Sequence, residues 1–477
     1  MLALTTLAFT ICFGVWMLNG VLVTFLSSNQ IFDWGPAEIG WLMGIPILTG
    51  SVLRLPAGML TEKFGGRPVM TGLLFLCTLP LVAMSFANGF WSFALCSFGF
   101  GLAGVSFSIG IAFTSVWFPK KRQGTALGIF GAGNAGASLS TLFAPTLLNK
   151  LTLDATDLEG WRKLPLLYAG LMALMGIVFV LLSKNKKPAI NFKTIAQQLA
   201  PLKELRVWRF GLYYFLVFGC FVAFSQWLVP YFVNVYYMPL VTAGILASLF
   251  SFPSGIIRAL GGWMSDKWGG RQVMYWVLGI SLVITFLLIV PKMEITSPGK
   301  GIQATQDGTI TAVSPASIRL GEKEFLLVQH TDALDDVDEK AFLFPAKEAW
   351  QEPVVTVGQQ VKKKELLAKG ITKIHFQANF WVFAVLVILV GIAWGIGKAA
   401  VYKFIPEYYP ENVGVVGGMV GVIGGLGGFV CPILFGYMLE GTGLWTSCWM
   451  FMFFLSVICI LWLNHVVHSR KDLAPES

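Results

Sequence analysis

Two arginines interrupt apolar runs, and the segments that carry them are near copies. Arg54-Leu-Pro-Ala-Gly-Met-Leu-Thr-Glu-Lys-Phe-Gly-Gly-Arg-Pro-Val-Met70 and Arg258-Ala-Leu-Gly-Gly-Trp-Met-Ser-Asp-Lys-Trp-Gly-Gly-Arg-Gln-Val-Met274 align without a gap at an offset of 204. A cation inside a bilayer is costly and persists where it serves a function, so a duplicated one suggests a grip on an anion between two repeats. From Lys63 back to Arg54 is nine residues, about 14 Å of helix, which is close to the bilayer midplane. Arg258 and Lys267 repeat that spacing. The distance exceeds what an arginine usually snorkels. Two guanidinium forks facing each other would hold a small planar or tetrahedral oxyanion bidentately. Without the anion, two unpaired positive charges would oppose closure around the site.

One further cation, Lys398 in Gly397-Lys-Ala-Ala-Val-Tyr-Lys403, falls within an apolar run. It lies about 8 Å from Lys403 along a helix, so it either faces the centre or snorkels to the surface. The 25 acidic residues fall in loops, in a polar insertion or at span ends, and His330, His375, His465 and His468 lie outside the spans. No buried carboxylate or histidine is then available as a proton relay. Exchange of one anion for another needs none, whereas proton symport would need Lys398, a tyrosine or water to carry the proton. No nucleophile–base set or metal-ligand spacing is present, so an enzyme, a metal and a cofactor are not expected.

These residues need a membrane scaffold to hold them. Hydrophobic residues make up 56% of the 477 and charged residues 12%, against about 25% charged in soluble domains. Twelve apolar runs, from 3–27 to 444–464, are each long enough to span a bilayer, which predicts an all-α polytopic protein of two six-helix repeats. The first run reads as a retained span and not as a cleaved leader. Placing both termini on one side gathers seventeen lysines and arginines there, leaving Lys150, Arg162 and Lys163 in the short loops opposite. The positive-inside rule makes the basic side cytoplasmic. The net charge of +9 therefore records topology and gives no reason to expect nucleic acid as a partner. The seven cysteines lie within predicted spans, so a disulfide framework is not expected.

The expected domains are an N-terminal bundle over 1–182, a cytoplasmic linker over 183–207, helices seven to nine over 208–291, an extracytoplasmic insertion over 292–378, and helices ten to twelve with a short tail over 379–477. The insertion alternates strand-like runs (308–313, 324–328 and 353–358) with turns and acidic clusters, so a small β-rich domain is predicted. Its Val355–Gly370 segment resembles half of a biotinyl/lipoyl-type barrel-sandwich, but Asp338-Glu-Lys340 is misplaced for a modified lysine. The partner of the insertion is unknown.

Glu62-Lys63-Phe-Gly-Gly-Arg67 and Asp266-Lys267-Trp-Gly-Gly-Arg271 resemble the loop motif of the major facilitator superfamily, whose charges latch neighbouring helices. Span five carries Gly124, Gly128, Gly131-Ala-Gly133-Asn134-Ala-Gly136, and span eleven carries Gly414, Gly417-Gly418, Gly421 and Gly424-Gly425-Leu-Gly427-Gly428. Glycines at such spacing let helix backbones approach and slide. The two glycine-rich segments look like the signature segments of the nitrate/nitrite porter (NarK) family, and Arg54 and Arg258 match its substrate-binding arginines. The resemblance covers the spans but not 292–378, and Lys398 departs from the small polar residues common there.

The resemblance implies a transporter of nitrate, nitrite or both in the cell inner membrane. It would work by alternating access, as nitrate/proton symport or nitrate/nitrite exchange. Asn134 would hydrogen-bond the anion, Tyr214 (or Tyr213) would donate its hydroxyl, and Phe107 and Phe218 would sandwich the ion. Gly131, Gly133, Gly424 and Gly427 would line the site. The expected partners are the two anions, protons and the lipid bilayer, with the chain acting as a monomer. One rival reading is an organic-anion or organophosphate porter of the same fold. Another makes the insertion a partner-binding module on a membrane sensor or scaffold.

Overall fold

Residues 1–154, 156–186, 200–330, 346–376, 379–409 and 413–468 are described in the computed structural model. The chain forms two compact units, one of Met1–Phe286 with Val387–Ser477 and one of Leu287–Leu386.

The first unit is helical. In its N-terminal part α1 (Leu2–Trp16) leads into α2 (Leu18–Ser28), and α3 (Pro36–Val52) into α4 (Arg54–Phe64). Then follow α5 (Gly66–Met84), α6 (Phe90–Phe100), α7 (Ser106–Ser115), α8 (Lys120–Gly131), α9 (Ala135–Leu151) and α10 (Lys163–Leu182). The second part has α11 (Leu205–Tyr214), α12 (Phe221–Tyr236), α13 (Leu240–Ile256), α14 (Arg258–Trp268) and α15 (Gly270–Leu288). It continues after the insertion with α16 (Phe380–Tyr408), α17 (Val413–Thr442) and α18 (Ser447–His468).

Ten helical runs among the described residues are long and apolar enough to cross a bilayer, and an eleventh follows if α13 and α14, bent by 42°, are one span. The sequence predicts twelve. The run α8–α9 is helical across Lys120–Leu151 apart from a 3₁₀ turn at Ala132–Asn134. Its Lys120-Lys-Arg-Gln123 start and its many small polar residues dilute its apolar character.

Repeat symmetry reaches down to individual hydrogen bonds. Both arginines are the first residue after a helix break, at Leu53 and at Ile257. Two turns further on, Thr61 donates to the Ala57 carbonyl at 2.8 Å and Ser265 to the Gly261 carbonyl at 2.7 Å. Such back-bonding lets a hydroxyl sit in an apolar span without an orphaned donor. Both helices then end on a glycine in a backbone region closed to other residues, Gly65 at φ 89° and Gly269 at φ 83°.

The two sets of helices meet closely on the side of the arginines remote from Gly65 and Gly269. A Cβ on Gly40 would lie 2.3 Å from the Pro432 carbonyl oxygen, and one on Gly244 would lie 2.5 Å from that of Thr141. Hydroxyls of Ser138 and Ser251 pair across the seam at 2.8 Å, and Gln226 donates to the Met43 carbonyl at 3.3 Å. On the other side, a Cβ added to the repeat-related Gly58 or Gly262 would meet no neighbouring element within 4 Å, nor would one on Gly418. The halves thus converge beyond the arginines and lack these close glycine contacts toward the glycine loops.

The second unit is a pair of antiparallel sheets, ordered β1-β7-β5 and β4-β3-β2-β6. The strands are β1 (Met293–Gln303), β2 (Gly308–Val313), β3 (Ser317–Leu320), β4 (Lys323–Leu326), β5 (Ala346–Pro353), β6 (Gln360–Val361) and β7 (Leu366–Phe376). Ile310, Ile318, Leu320, Val361 and Leu367 form its core. The strand-like run at 353–358 is not a strand: β5 ends at Pro353, which has no donor, and Gly358 turns the chain at φ 87°. Asp338 and Lys340 lie outside the described residues, as does 187–199 of the linker.

A candidate anion-binding site

Arg54 is 6% exposed. Its guanidinium carbon lies 5.4 Å from the ring centres of Trp16 and Phe107 and 5.6 Å from that of Phe218. Rings from three different spans thus surround one cation, close enough for cation–π attraction. Nη1 donates to the Gly421 carbonyl at 3.3 Å, whereas Nε and Nη2 have no hydrogen-bond partner among the described residues. Leaving buried donors unpaired costs about 1–3 kcal/mol each, and more on a charged group. Those donors suit an anion.

Arg258 is half-buried, with its guanidinium carbon 5.4 Å from the Tyr402 ring centre. Tyr402 meets Tyr214 edge to face at 5.0 Å, and Tyr214 stacks on Phe218 at 4.9 Å with 10° between the planes. A continuous file of rings therefore runs from Arg54 through Phe218, Tyr214 and Tyr402 to Arg258. The local reason is a widened π-helical stretch, Phe215–Cys220, between α11 and α12. π-Bulges recur at functional sites because they re-aim side chains. Glycines of α17 make room: a Cβ on Gly424 would lie 2.2 Å from Tyr214 Cδ1, and one on Gly427 would lie 2.9 Å from the Gly219 Cα.

Of the residues singled out from the sequence, Arg54, Arg258, Tyr214, Phe218 and Phe107 belong to this cluster, and Gly424 and Gly427 seat it. Tyr213 is fully buried in the same helix. Asn134 ends a 3₁₀ turn that packs on α1 and touches α13 from the other half. Gly133 packs on Phe9, where a Cβ would lie 2.4 Å from Cδ1, while Gly131 meets nothing within 4 Å.

Lys398 does not reach the surface. At 2% exposed, it donates from Nζ to Ser254 Oγ at 3.0 Å and stands 3.1 Å above the Phe221 ring centre, within electrostatic reach of Arg258. The buried charged side chains of the described helical unit are Arg54, Arg209 and Lys398, with no carboxylate among them.

The glycine loops carry parallel fastenings within each half. Arg67 donates to the Val180 carbonyl at 2.8 Å, and Arg271 to the Tyr408 hydroxyl at 2.8 Å. Asp266 pairs with Lys403 at 2.6 Å, and both Asp266 and its counterpart Glu62 are exposed. Lys63 lies over the Phe64 ring, and Lys267 over Trp263 and Trp268.

Three contributors were not singled out from the sequence: Trp16, the Gly421 carbonyl and Tyr402. Tyr402 lies four residues after Lys398, on the same helix face. That spacing was the available signal. Trp16 has none, because one tryptophan among 17 does not stand out.

The Major Facilitator Superfamily model matches residues 4–299 and 366–476. Over 97% of this chain and 90% of the relative, the sequence is 38% identical to a Thermus thermophilus protein named "Probable nitrate/nitrite antiporter NarK1". It is 24% identical to the "Nitrite extrusion protein" of Bacillus subtilis (strain 168), over 99% of this chain and 97% of the relative. Among solved structures, an inward-facing, occupied bacterial homolog of the human lysosomal transporter Spinster superposes with a TM-score of 0.65 at 12% identity, covering 99% of this chain and 98% of that one. With a family model spanning most of the helical unit and a full-length relative at this identity, the chain belongs to the nitrate/nitrite porter (NarK) family of the major facilitator superfamily.

Proposed function

We propose that this protein carries nitrate, nitrite or both across the cytoplasmic membrane by alternating access, gripping the anion between Arg54 and Arg258. The observation that carries the reading is the ring-lined file joining one arginine from each repeat, with two orphaned donors on Arg54. The names of the full-length relatives support the choice of anion. Flat rings beside a guanidinium suit a small planar ion, and the glycine contacts of α17 leave little width for an organophosphate.

The transport cycle follows from charge. Two facing guanidinium groups repel, so the helices that carry them close only around an anion that pairs with both. Asn134 and the Tyr214 hydroxyl supply further donors, and Phe107 and Phe218 bound the faces of the ion. The close seam beyond the arginines then opens while the side of the glycine loops closes, with Glu62, Lys63, Arg67, Asp266, Lys267 and Arg271 fastening the loops.

In this reading α8–α9 is the fifth of twelve spans, both termini and the glycine loops are cytoplasmic, and the 292–378 insertion lies outside the cytoplasm. The chain works as a monomer. Nitrate/proton symport and nitrate/nitrite exchange are the two modes of coupling. Burial of Lys398 beside Arg258, without a carboxylate, favours symport, with the lysine taking a proton as the anion binds.

The test is uptake of labelled nitrate into proteoliposomes, driven either by an imposed pH gradient or by internal nitrite, with phosphate esters as competitors. Uptake that responds to nitrate and nitrite but not to phosphate esters is expected. An Arg54→Lys, Arg258→Lys double variant is expected to lose at least about 100-fold, because lysine cannot form the bidentate fork. Undiminished uptake by that variant would remove the assignment.

A further inference from the structure

Each arginine packs against a ring from the second span after its own, Phe107 for Arg54 and Tyr402 for Arg258. Both rings lie 5.4 Å from their guanidinium carbon, yet only the second carries a hydroxyl. That hydroxyl donates to the Gly417 carbonyl at 3.2 Å, and Arg54 Nη1 donates to the Gly421 carbonyl at 3.3 Å. Gly417 and Gly421 stand one turn apart on α17, about 5–6 Å. One glycine stripe thus holds a donor from each half, and Tyr402 lies within electrostatic reach of both arginines. Helix carbonyls already accept bonds from their own helix, so they are weak second partners. An anion is a stronger acceptor than either of them.

We propose that Tyr402 is a further substrate-binding and specificity-determining residue, whose hydroxyl, with Arg54 Nη1, passes from an α17 carbonyl to the transported anion. Losing the two carbonyl ties frees α17 to move against α4 and α16, so binding and helix movement are one event. Because the hydroxyl is a single directional donor, it contributes differently to a three-oxygen and a two-oxygen anion. This inference rests on the anion-transport reading above.

The test is Tyr402→Phe, which deletes only the hydroxyl and keeps the ring against Arg258 and Tyr214. In proteoliposomes the variant is expected to show about a ten-fold or greater rise in KM for nitrate, the usual worth of a hydrogen bond to a charged group. Its kcat is expected to stay within about two-fold, and its nitrate-to-nitrite preference to shift. A merely structural role would lower the amount of active protein without moving KM or that preference. Should Tyr402→Phe yield no folded protein, Gly421→Ala replaces it. Its Cβ would lie 3.1 Å from the Tyr402 hydroxyl and crowd it with the ring intact, and the same rise in KM is expected. Active wild-type protein together with an unchanged KM and preference in the variant overturns the role of Tyr402 alone. No anion uptake by the wild type overturns the transport reading and this inference with it.

Discussion

Arg54 shows how a membrane protein keeps a charge poised. Trp16, Phe107 and Phe218 fix the direction of the guanidinium through their ring faces without neutralising it, and one weak carbonyl bond is all it gains from the backbone. A carboxylate partner in the same place would have saturated the fork. Lys398 is held in a similar way, by Ser254 and the Phe221 ring. The uncharged, similarly long side chain of Lys398→Met separates its two possible uses. If the lysine carries the proton, the variant loses stimulation by a pH gradient while anion-for-anion exchange persists. Equal stimulation in wild type and variant would exclude that role.

Breaks and glycines give the helices their working parts. α3 and α13 end just before an arginine, and α4 and α14 run from it to a left-handed glycine. The two glycine turns differ in surroundings. A Cβ on Gly65 would lie 2.2 Å from Asn185 Oδ1, where Asn185 accepts from Arg67 N and donates to the Phe64 carbonyl, whereas a Cβ on Gly269 meets nothing within 4 Å. Both Gly65→Ala and Gly269→Ala bear the backbone strain, of order 1–3 kcal/mol. Only the first also loses the Asn185 bonds. A thermal-unfolding comparison is expected to lower Tm in both, and by more for Gly65→Ala. Equal shifts would show that the Asn185 contact contributes nothing.

At the scale of the molecule, the polar contacts that close one side of the seam should break in each transport cycle. Ser138 and Ser251 approach to 2.8 Å across it. A Ser138→Cys, Ser251→Cys pair is expected to oxidise to a disulfide that blocks transport, and a reductant is expected to restore it. Full transport by the oxidised, cross-linked pair would rule out separation of the halves at that point. The superfamily match skips residues 300–365, most of the β-rich unit, and covers both sets of helices.

How much of this the chain announces depends on the range of each interaction. Hydropathy and charge bias act along the sequence, so the membrane class, the repeat and both arginines could be read from residue order. The structure carries the gapless 204-residue offset down to the matching hydrogen bonds of Thr61 and Ser265. Of the twelve spans expected from the sequence, ten, or eleven with the bent pair, are apolar enough among the described residues. The glycine-rich run at Lys120–Leu151, expected as the fifth, exchanges apolar character for close packing. The role of Lys398 was open in the sequence, since a helix does not reveal which way a lysine bends, and only the packing of α13 and α12 around it decides. Tyr402 is separated from Arg258 by α15 and the insertion, and Trp16 lies on the span before that of Arg54. Their contacts exist only because apolar helices fold the chain back on itself, so the residues flanking each arginine were a matter for the tertiary structure.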